Sequence, residues 1–262
     1  MSDRKPYDTN LAMGLGLIDE TKELLQVWLP GQPAVELYQK VLSSGKLAGG
    51  SAYRLRNIVV RCFSPRYLIQ NGAPASRLKI LLPVLTASEM RQLLYLYTCR
   101  ANPVLADFVR EAYWEAYESS ARVMTKESAE HFVRRAIDDG KTSSRWAEGQ
   151  IERMGRYLMG CCSDFGLLGS RMKGGRLINT IRIEQKVVAY LAHDLHFSEL
   201  GDNAILAHHD WKLFGLTRED VLEELKKLSL KGHFIIQAAG DVVRISWKQP
   251  SMEALCDVLS QG

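Results

Sequence analysis

The sequence predicts a mainly α protein with small β-hairpins, built as an N-terminal helical bundle followed by two winged-helix-like units. Three observations carry this. Apolar residues recur at three- and four-residue steps through the first hundred positions, the period of one helical face. Two later stretches alternate apolar and polar side chains about glycine-containing turns, near Gly174 and near Gly240, as paired strands do. Each of these hairpins follows a run of helical patterns. The expected boundaries are 1–100 for the bundle, 101–183 for the first winged-helix-like unit and 184–262 for the second. A chain of 262 residues with an apolar fraction of 46% is long enough for one large domain or two to three small ones.

In the bundle, Ile18 to Trp28 reads as one helix, ended by Pro30-Gly31. Pro33 to Leu42 gives a second, with Pro33 suited to a first turn. Lys46 to Gly50 is a joint. Ser51 opens a strongly amphipathic helix, with Leu55, Ile58, Val59, Cys62 and Phe63 on one face and Arg54, Asn57 and Arg61 on the other. Helical patterns follow over Ser76 to Leu85 and Ser88 to Cys99.

The middle third is the most informative. Pro103 starts a helix through Tyr117, and Thr125 to Asp138 is a second helical pattern with Phe132, Ala136 and Ile137 on its apolar side. Gly140-Lys141-Thr142 breaks it. Ser143 is expected to cap a third helix reaching about Cys162. Ala147, Ile151, Met154, Leu158 and Cys161 form its buried stripe. Arg145, Gly149 and Arg156 fall opposite, with Glu152 and Arg153 beside them. Gly149 costs about 1 kcal/mol against alanine inside a helix, a cost that close approach of the backbone to a phosphate would justify. The amides after Ser143 and Ser144 would add an anion site at the helix start. Leu167 to Met172, the turn Lys173-Gly174-Gly175, and Arg176 to Arg182 then read as a basic hairpin.

The last third repeats the plan. Glu184 to His196 is helical, Asn203 to Phe214 is a weaker polar helical stretch, and Thr217 with Asp220 caps a helix through Leu228. Strands at His233 to Ala238 and Val242 to Trp247 flank Ala239-Gly240-Asp241, and Ser251 opens a closing helix. Here the helix before the hairpin carries Glu219, Asp220, Glu223 and Glu224. Phosphates would repel that end, so this copy is expected to be structural or to bind protein.

Net charge is only +4, but its distribution is uneven. No acidic residue lies between Glu36 and Glu89, where Lys40, Lys46, Arg54, Arg56, Arg61, Arg66, Arg77 and Lys79 supply eight positive charges. Residues 141–182 hold eight bases against three acids, while 101–140 hold five against eight and 183–262 eight against twelve. Two segregated basic blocks are the pattern of an electrostatic footprint. The five cysteines lack the spacing of zinc or redox sites, and no apolar run approaches the length that spans a bilayer. A reducing, cytoplasmic location without membrane attachment is expected.

The sequence carries no recognisable catalytic motif. Gly140-Lys141-Thr142 resembles the end of a phosphate-binding loop, but Arg135 stands where its first glycine belongs. His193, Asp194, His196, His208, His209 and Asp210 are the one group of metal-ligating residue types, without an established ligand spacing; imidazoles at helix ends are the plainer reading. The expectation is a non-enzymatic protein with no cofactor and no metal.

The partner expected from the residues is double-stranded DNA. Lys141, Ser143, Ser144, Arg145, Arg153 and Arg156 would lie in or beside the major groove, and Arg171, Lys173 and Arg176 on adjacent backbone or in the minor groove. Arg54, Arg61 and Arg66 would hold phosphates further along. Neutralising about five to eight phosphates gives a slope of log affinity on log salt of roughly −4.5 to −7. Sequence preference should be weak, since few side chains there read base edges. The alternatives are a scaffold whose basic face meets an acidic protein, an RNA-binding factor, and arginines that pair with the chain's own acidic 101–140 block.

Several segments resemble a known family. Gly16-Leu17-Ile18-Asp19-Glu20-Thr21, the basic helix from Ser51 to Arg61, Asn102-Pro103-Val104-Leu105-Ala106-Asp107-Phe108, and the run from Ser143 to Asp164-Phe165-Gly166-Leu167-Leu168 look like BrxA, a small component of the BREX bacteriophage-exclusion systems. The resemblance covers most of the chain through diffuse motifs. It implies a bacterial cytoplasmic protein encoded with larger defence partners, including a methyltransferase and ATPases. It also implies DNA binding without known catalysis, and it supplies no catalytic residue to carry over.

Overall fold

The structure, a computed structural model, describes residues 6–45, 51–240 and 242–261. The joint expected at Lys46 to Gly50 lies outside them. The chain is mainly helical with small antiparallel sheets, and it divides into two compact units: Met1–Ser76 with Leu94–Ile181, and Arg77–Leu93 with Arg182–Gly262.

The first unit begins with α1 (Ile18–Val27) and α2 (Ala34–Ser44). α3 (Ala52–Arg56) is capped by the Ser51 hydroxyl, which accepts from the Arg54 amide. It continues through a π-helical stretch (Asn57–Phe63) into α4 (Ser64–Tyr67). The predicted apolar face is the buried one: Leu55, Ile58, Val59, Cys62 and Phe63 all face the core. α5 (Ala73–Leu81) and α6 (Ala87–Ala101) follow in the chain, with their residues 77–81 and 87–93 assigned to the second unit. α7 (Pro103–Phe108), a second π-helical stretch (Val109–Tyr113) and α8 (Trp114–Glu118) form one continuous helical run. Then come β1 (Val123–Met124), α9 (Lys126–Asp138), α10 (Glu148–Asp164), β2 (Leu168–Met172) and β3 (Gly175–Ile178). The three strands form an antiparallel sheet in the order β1-β3-β2.

One loop shows why a basic residue belongs to this core. Leu17 sits in the left-handed region (φ 50) at the start of α1. The preceding segment is gripped from two sides: the Gly16 amide donates to Asp164 (2.9 Å), and the Arg66 guanidinium donates to the carbonyls of Gly14 (2.8 Å) and Gly16 (3.4 Å). A Cβ on Gly16 would lie 2.6 Å from that of Asp164, so only glycine allows this approach. Arg66 is therefore buried, only 2% exposed. Its expected role as a phosphate contact is corrected here, because its donors are already committed to backbone carbonyls.

The second unit is built on α11 (Gln185–His196), whose residues Val187 to Leu195 are all buried. α12 (Asp202–Leu206), a 3-10 turn (Trp211–Phe214) and α13 (Arg218–Leu230) follow, in place of the single stretch expected over Asn203 to Phe214. Thr217 and Asp220 cap α13 reciprocally, as the sequence predicts. β4 (Phe234–Ala239) and β5 (Val242–Trp247) pair antiparallel in the register Ile236↔Ile245, and α14 (Met252–Gln261) closes the unit. Asp202 accepts from the Ile245 amide (2.9 Å) and from the Trp247 indole (3.4 Å), which caps an open edge of β5. Arg77 is held by Asp194 (3.1 Å) and Glu253 (3.5 Å).

Candidate nucleic-acid interface

The helix pair α9–α10 and the β2–β3 hairpin form one connected piece of the first unit. Thr125 caps α9 through its hydroxyl, which accepts from the Ser128 amide at 3.0 Å. Ala129, Phe132, Val133 and Ala136 face inward, with Phe132 edge-on to Phe108. Gly140 (φ +69) ends the helix. The next turn is tied to the chain's beginning: the Tyr7 amide donates to the Lys141 carbonyl (2.7 Å), and the Tyr7 hydroxyl donates to Asp107 (2.6 Å).

α10 starts later than expected. Ser143, Ser144 and Arg145 lie in a bent, non-helical segment ahead of it, and Trp146, only 7% exposed, anchors that segment in the core. The helix opens at Glu148, with the Gln150 side chain accepting from the Ala147 amide (2.9 Å). Burying an indole outweighs the serine cap signal. Ser143 is thus not a cap, and the amides after Ser143 and Ser144 do not form a helix N-terminus. Of the expected stripe, Ile151, Met154, Leu158 and Cys161 are buried and Ala147 is exposed. Gly155, which the sequence reading passed over, lets α10 approach α9: a Cβ there would stand 3.2 Å from the Glu130 side chain.

The solvent face of α10 presents Glu148, Gly149, Glu152, Arg153 and Arg156. Its acids are partly neutralised from α9. Arg134 grips Glu148 through both guanidinium nitrogens, which holds that carboxyl below its usual range, and Lys126 lies 3.9 Å from Glu152. Among the described residues neither Arg153 nor Arg156 makes an ion pair. A Cβ on Gly149 would meet nothing nearer than an Arg153 nitrogen at 4.0 Å, so this glycine fills no packing need.

In the hairpin, Arg171 faces Arg176 across the strands and Met172 faces Gly175. Gly174 (φ +90) makes the turn, and an added Cβ on Gly175 would collide with the Met124 carbonyl of β1. Arg176 is half-buried. Its guanidinium donates to the Ser163 hydroxyl (2.9 Å) and the Gly169 carbonyl (3.2 Å), fastening the hairpin to the last turns of α10. Arg171, Met172, Lys173 and Gly174 stand in solvent.

The twelve expected site residues therefore separate. Arg145, Arg153, Arg156, Arg171 and Lys173 are exposed, and among the described residues none is matched by a carboxylate. Ser143 and Ser144 are exposed on the segment before α10. Lys141 is engaged by Glu111 (3.1 Å), and Arg176 holds the hairpin. Arg66 is buried. Arg54 lies 3.8 Å from Glu20 and lines a hollow of about 500 Å³ with Asp19, Glu20 and Asp164, so acids surround it. Arg61 is exposed on its π-helical stretch. Three acids of the 101–140 block meet bases close by: Glu111 meets Arg135 and Lys141, Glu130 meets Lys126 and Arg134, and Asp107 meets Arg110.

The second unit presents a different face. Glu219, Asp220 and Glu223 are exposed on α13, and Glu224 contacts Lys227 and Gln185. The histidines divide. The His193 ring is buried against Phe234 and Trp247, and burial lowers its pKa to about 4. His196 stacks on Trp247 at 4.4 Å, and His208, His209 and Asp210 gather separately. The five cysteines are free and buried. Burial pushes the thiols of Cys161 and Cys256 up to about 12. No helix among the described residues is long and apolar enough to cross a membrane.

The BrxA family model matches residues 5–194. A crystal structure of an uncharacterized protein from Magnetospirillum magneticum superposes with a TM-score of 0.61 at 11% identity, covering 80% of this chain and 98% of that one; the two share a fold. No curated protein matches.

Proposed function

The chain belongs to the BrxA family of the BREX phage-exclusion systems, and from that footing we propose that its first unit is a winged-helix module that binds double-stranded DNA with weak sequence preference. The element order supports this reading: a helix, β1, two further helices, then a hairpin whose strands complete a β1-β3-β2 sheet. In such modules the last helix enters the major groove and the hairpin rests on neighbouring backbone. α10 takes the first role and the turn at Lys173-Gly174 the second.

The observation that carries the proposal is the state of the charges. α9 supplies Lys126 and Arg134 to the acids of the α10 face, while Arg153, Arg156, Arg171 and Lys173 reach solvent without a carboxylate among the described residues. Such cations release counterions from duplex DNA on binding. Gly149 contributes an unobstructed stretch of backbone on the same face. The protein acts as a binding subunit, without catalysis, alongside the other proteins of the defence system.

Fluorescence anisotropy with a labelled duplex tests this. Arg153→Glu with Arg156→Glu should weaken binding at least about tenfold at low salt. Duplex RNA should compete poorly, because its deep, narrow major groove does not admit a helix. Equal affinity of wild type and the double variant refutes the proposal. Stronger competition by RNA would replace it with the RNA-binding reading.

A further inference from the structure

We propose that His208, His209 and Asp210 form a binding site for a single transition-metal ion of the zinc type in the second unit. One potential ligand atom from each of these residues falls within a 4.8 Å envelope. Two of the separations are known individually. His208 Nδ1 stands 3.6 Å from one oxygen of Asp210, and His209 Nε2 stands 3.6 Å from the other. Tetrahedral ligands with bonds of about 2.0–2.1 Å lie about 3.4 Å apart, so the set, held within 4.8 Å with the two imidazoles facing opposite oxygens of one carboxylate, needs side-chain rotation to close on one ion.

Burial sharpens the case. The Asp210 side chain is only 2% exposed, while those of His208 and His209 are 21% and 58% exposed. A carboxylate is therefore withdrawn from water directly beneath two imidazoles, one of them open to solvent. Neutral imidazole and carboxylate are the donor set that zinc, cobalt and nickel accept. Three protein ligands leave a position open toward solvent on the His209 side. The local backbone favours the grouping: the Trp211 and Lys212 amides donate to the carbonyls of His208 and His209, so the three residues share one tight turn. The Asp210 amide also donates to His208 Nδ1 (3.2 Å), a bond that coordination through this nitrogen would replace.

The site lies between α12 and the 3-10 turn leading to α13. An ion there would clamp the segment that delivers α13. This is independent of DNA binding by the first unit, and the two proposals fail separately.

The test uses the full chain without an affinity tag, titrated with Co²⁺ and followed by visible absorption, with Zn²⁺ calorimetry alongside. One ion per chain is expected, with the intense visible bands of a low-coordinate cobalt site that Zn²⁺ displaces. His209→Ala, a change at an exposed side chain, should lower affinity at least tenfold. His131→Ala, at an exposed histidine of the first unit, should not change it. Binding should fall away as pH drops below about 6, where free imidazole protonates. The absence of cobalt bands in wild type, or equal affinity in wild type and His209→Ala, overturns the proposal.

Discussion

Replacing Arg66 by methionine separates structural arginines from those available to DNA. Its guanidinium makes one strong bond, to the Gly14 carbonyl at 2.8 Å, and one at the weak limit, to the Gly16 carbonyl at 3.4 Å. A hydrogen bond to a charged group contributes about 1.5–3 kcal/mol and the weaker one about 0.5 kcal/mol. Methionine keeps the apolar stem packed and no longer buries an ion, which offsets part of the loss, while two carbonyls are left without their donor. The net expectation is a destabilisation of about 2–3 kcal/mol. For a unit of this size that lowers Tm by roughly 5–10 °C. Arg66→Lys should cost less, since an ammonium still reaches one carbonyl. Differential scanning calorimetry gives the stability, and anisotropy at a temperature where the variant is folded gives its affinity for duplex DNA, which should equal that of wild type. An unchanged Tm with weakened DNA binding would refute the reasoning, because it would place this guanidinium at the surface.

Other consequences follow from the same geometry. Gly149→Ala meets open space, so it should raise stability by about 0.5–1 kcal/mol and yet weaken DNA binding; a change in neither thermal melting nor affinity counts against the role given to that glycine. Gly175→Ala drives a methyl into the Met124 carbonyl and should separate β1 from the hairpin at a cost of about 2–4 kcal/mol, read from urea unfolding. His193 has a folded pKa of about 4 against an ordinary 6.5. The unfolded chain therefore binds more protons between these values, and the stabilisation present above about pH 6.5 is lost as pH falls toward 4, by up to about 3 kcal/mol. Denaturant titrations of wild type and His193→Leu at pH 5 and 7 check this, since the variant should lose that part of the pH dependence. The thiols, buried and shifted upward at Cys161 and Cys256, should resist labelling until the chain unfolds.

Local signals were readable where one element satisfies itself. The cap at Thr217, the helix starts at Ser51 and Thr125, the buried face of Leu55 to Phe63, and both hairpins follow from patterns within a dozen residues. Tertiary terms decided the rest. The cap expected at Ser143 gives way because Trp146 needs the core more than Ser143 needs an amide. Arg66 reads as surface charge because the loop that covers it lies fifty residues earlier. Arg176 looks like part of a basic tip, but its guanidinium is spent on the Ser163 hydroxyl and the Gly169 carbonyl. β1 has two residues and no periodicity to detect, so the sheet edge it fills was invisible. That residues 77–93 cluster with 182–262 depends on pairings such as Arg77 with Asp194, more than a hundred positions apart. The exposed cations of α10 and the hairpin turn were legible as residue types. Which of them remain available after folding was not.

Salt dependence measures most directly how many cations the DNA reaches. If Arg145, Arg153, Arg156, Arg171 and Lys173 each neutralise a phosphate, log affinity should fall with log salt with a slope of about −4.5 for wild type. Removing the last four by Arg153→Ala, Arg156→Ala, Arg171→Ala and Lys173→Ala should leave a slope near about −1. The same slope for both proteins, or no duplex binding by wild type at low salt, contradicts a DNA interface built on α10 and its hairpin.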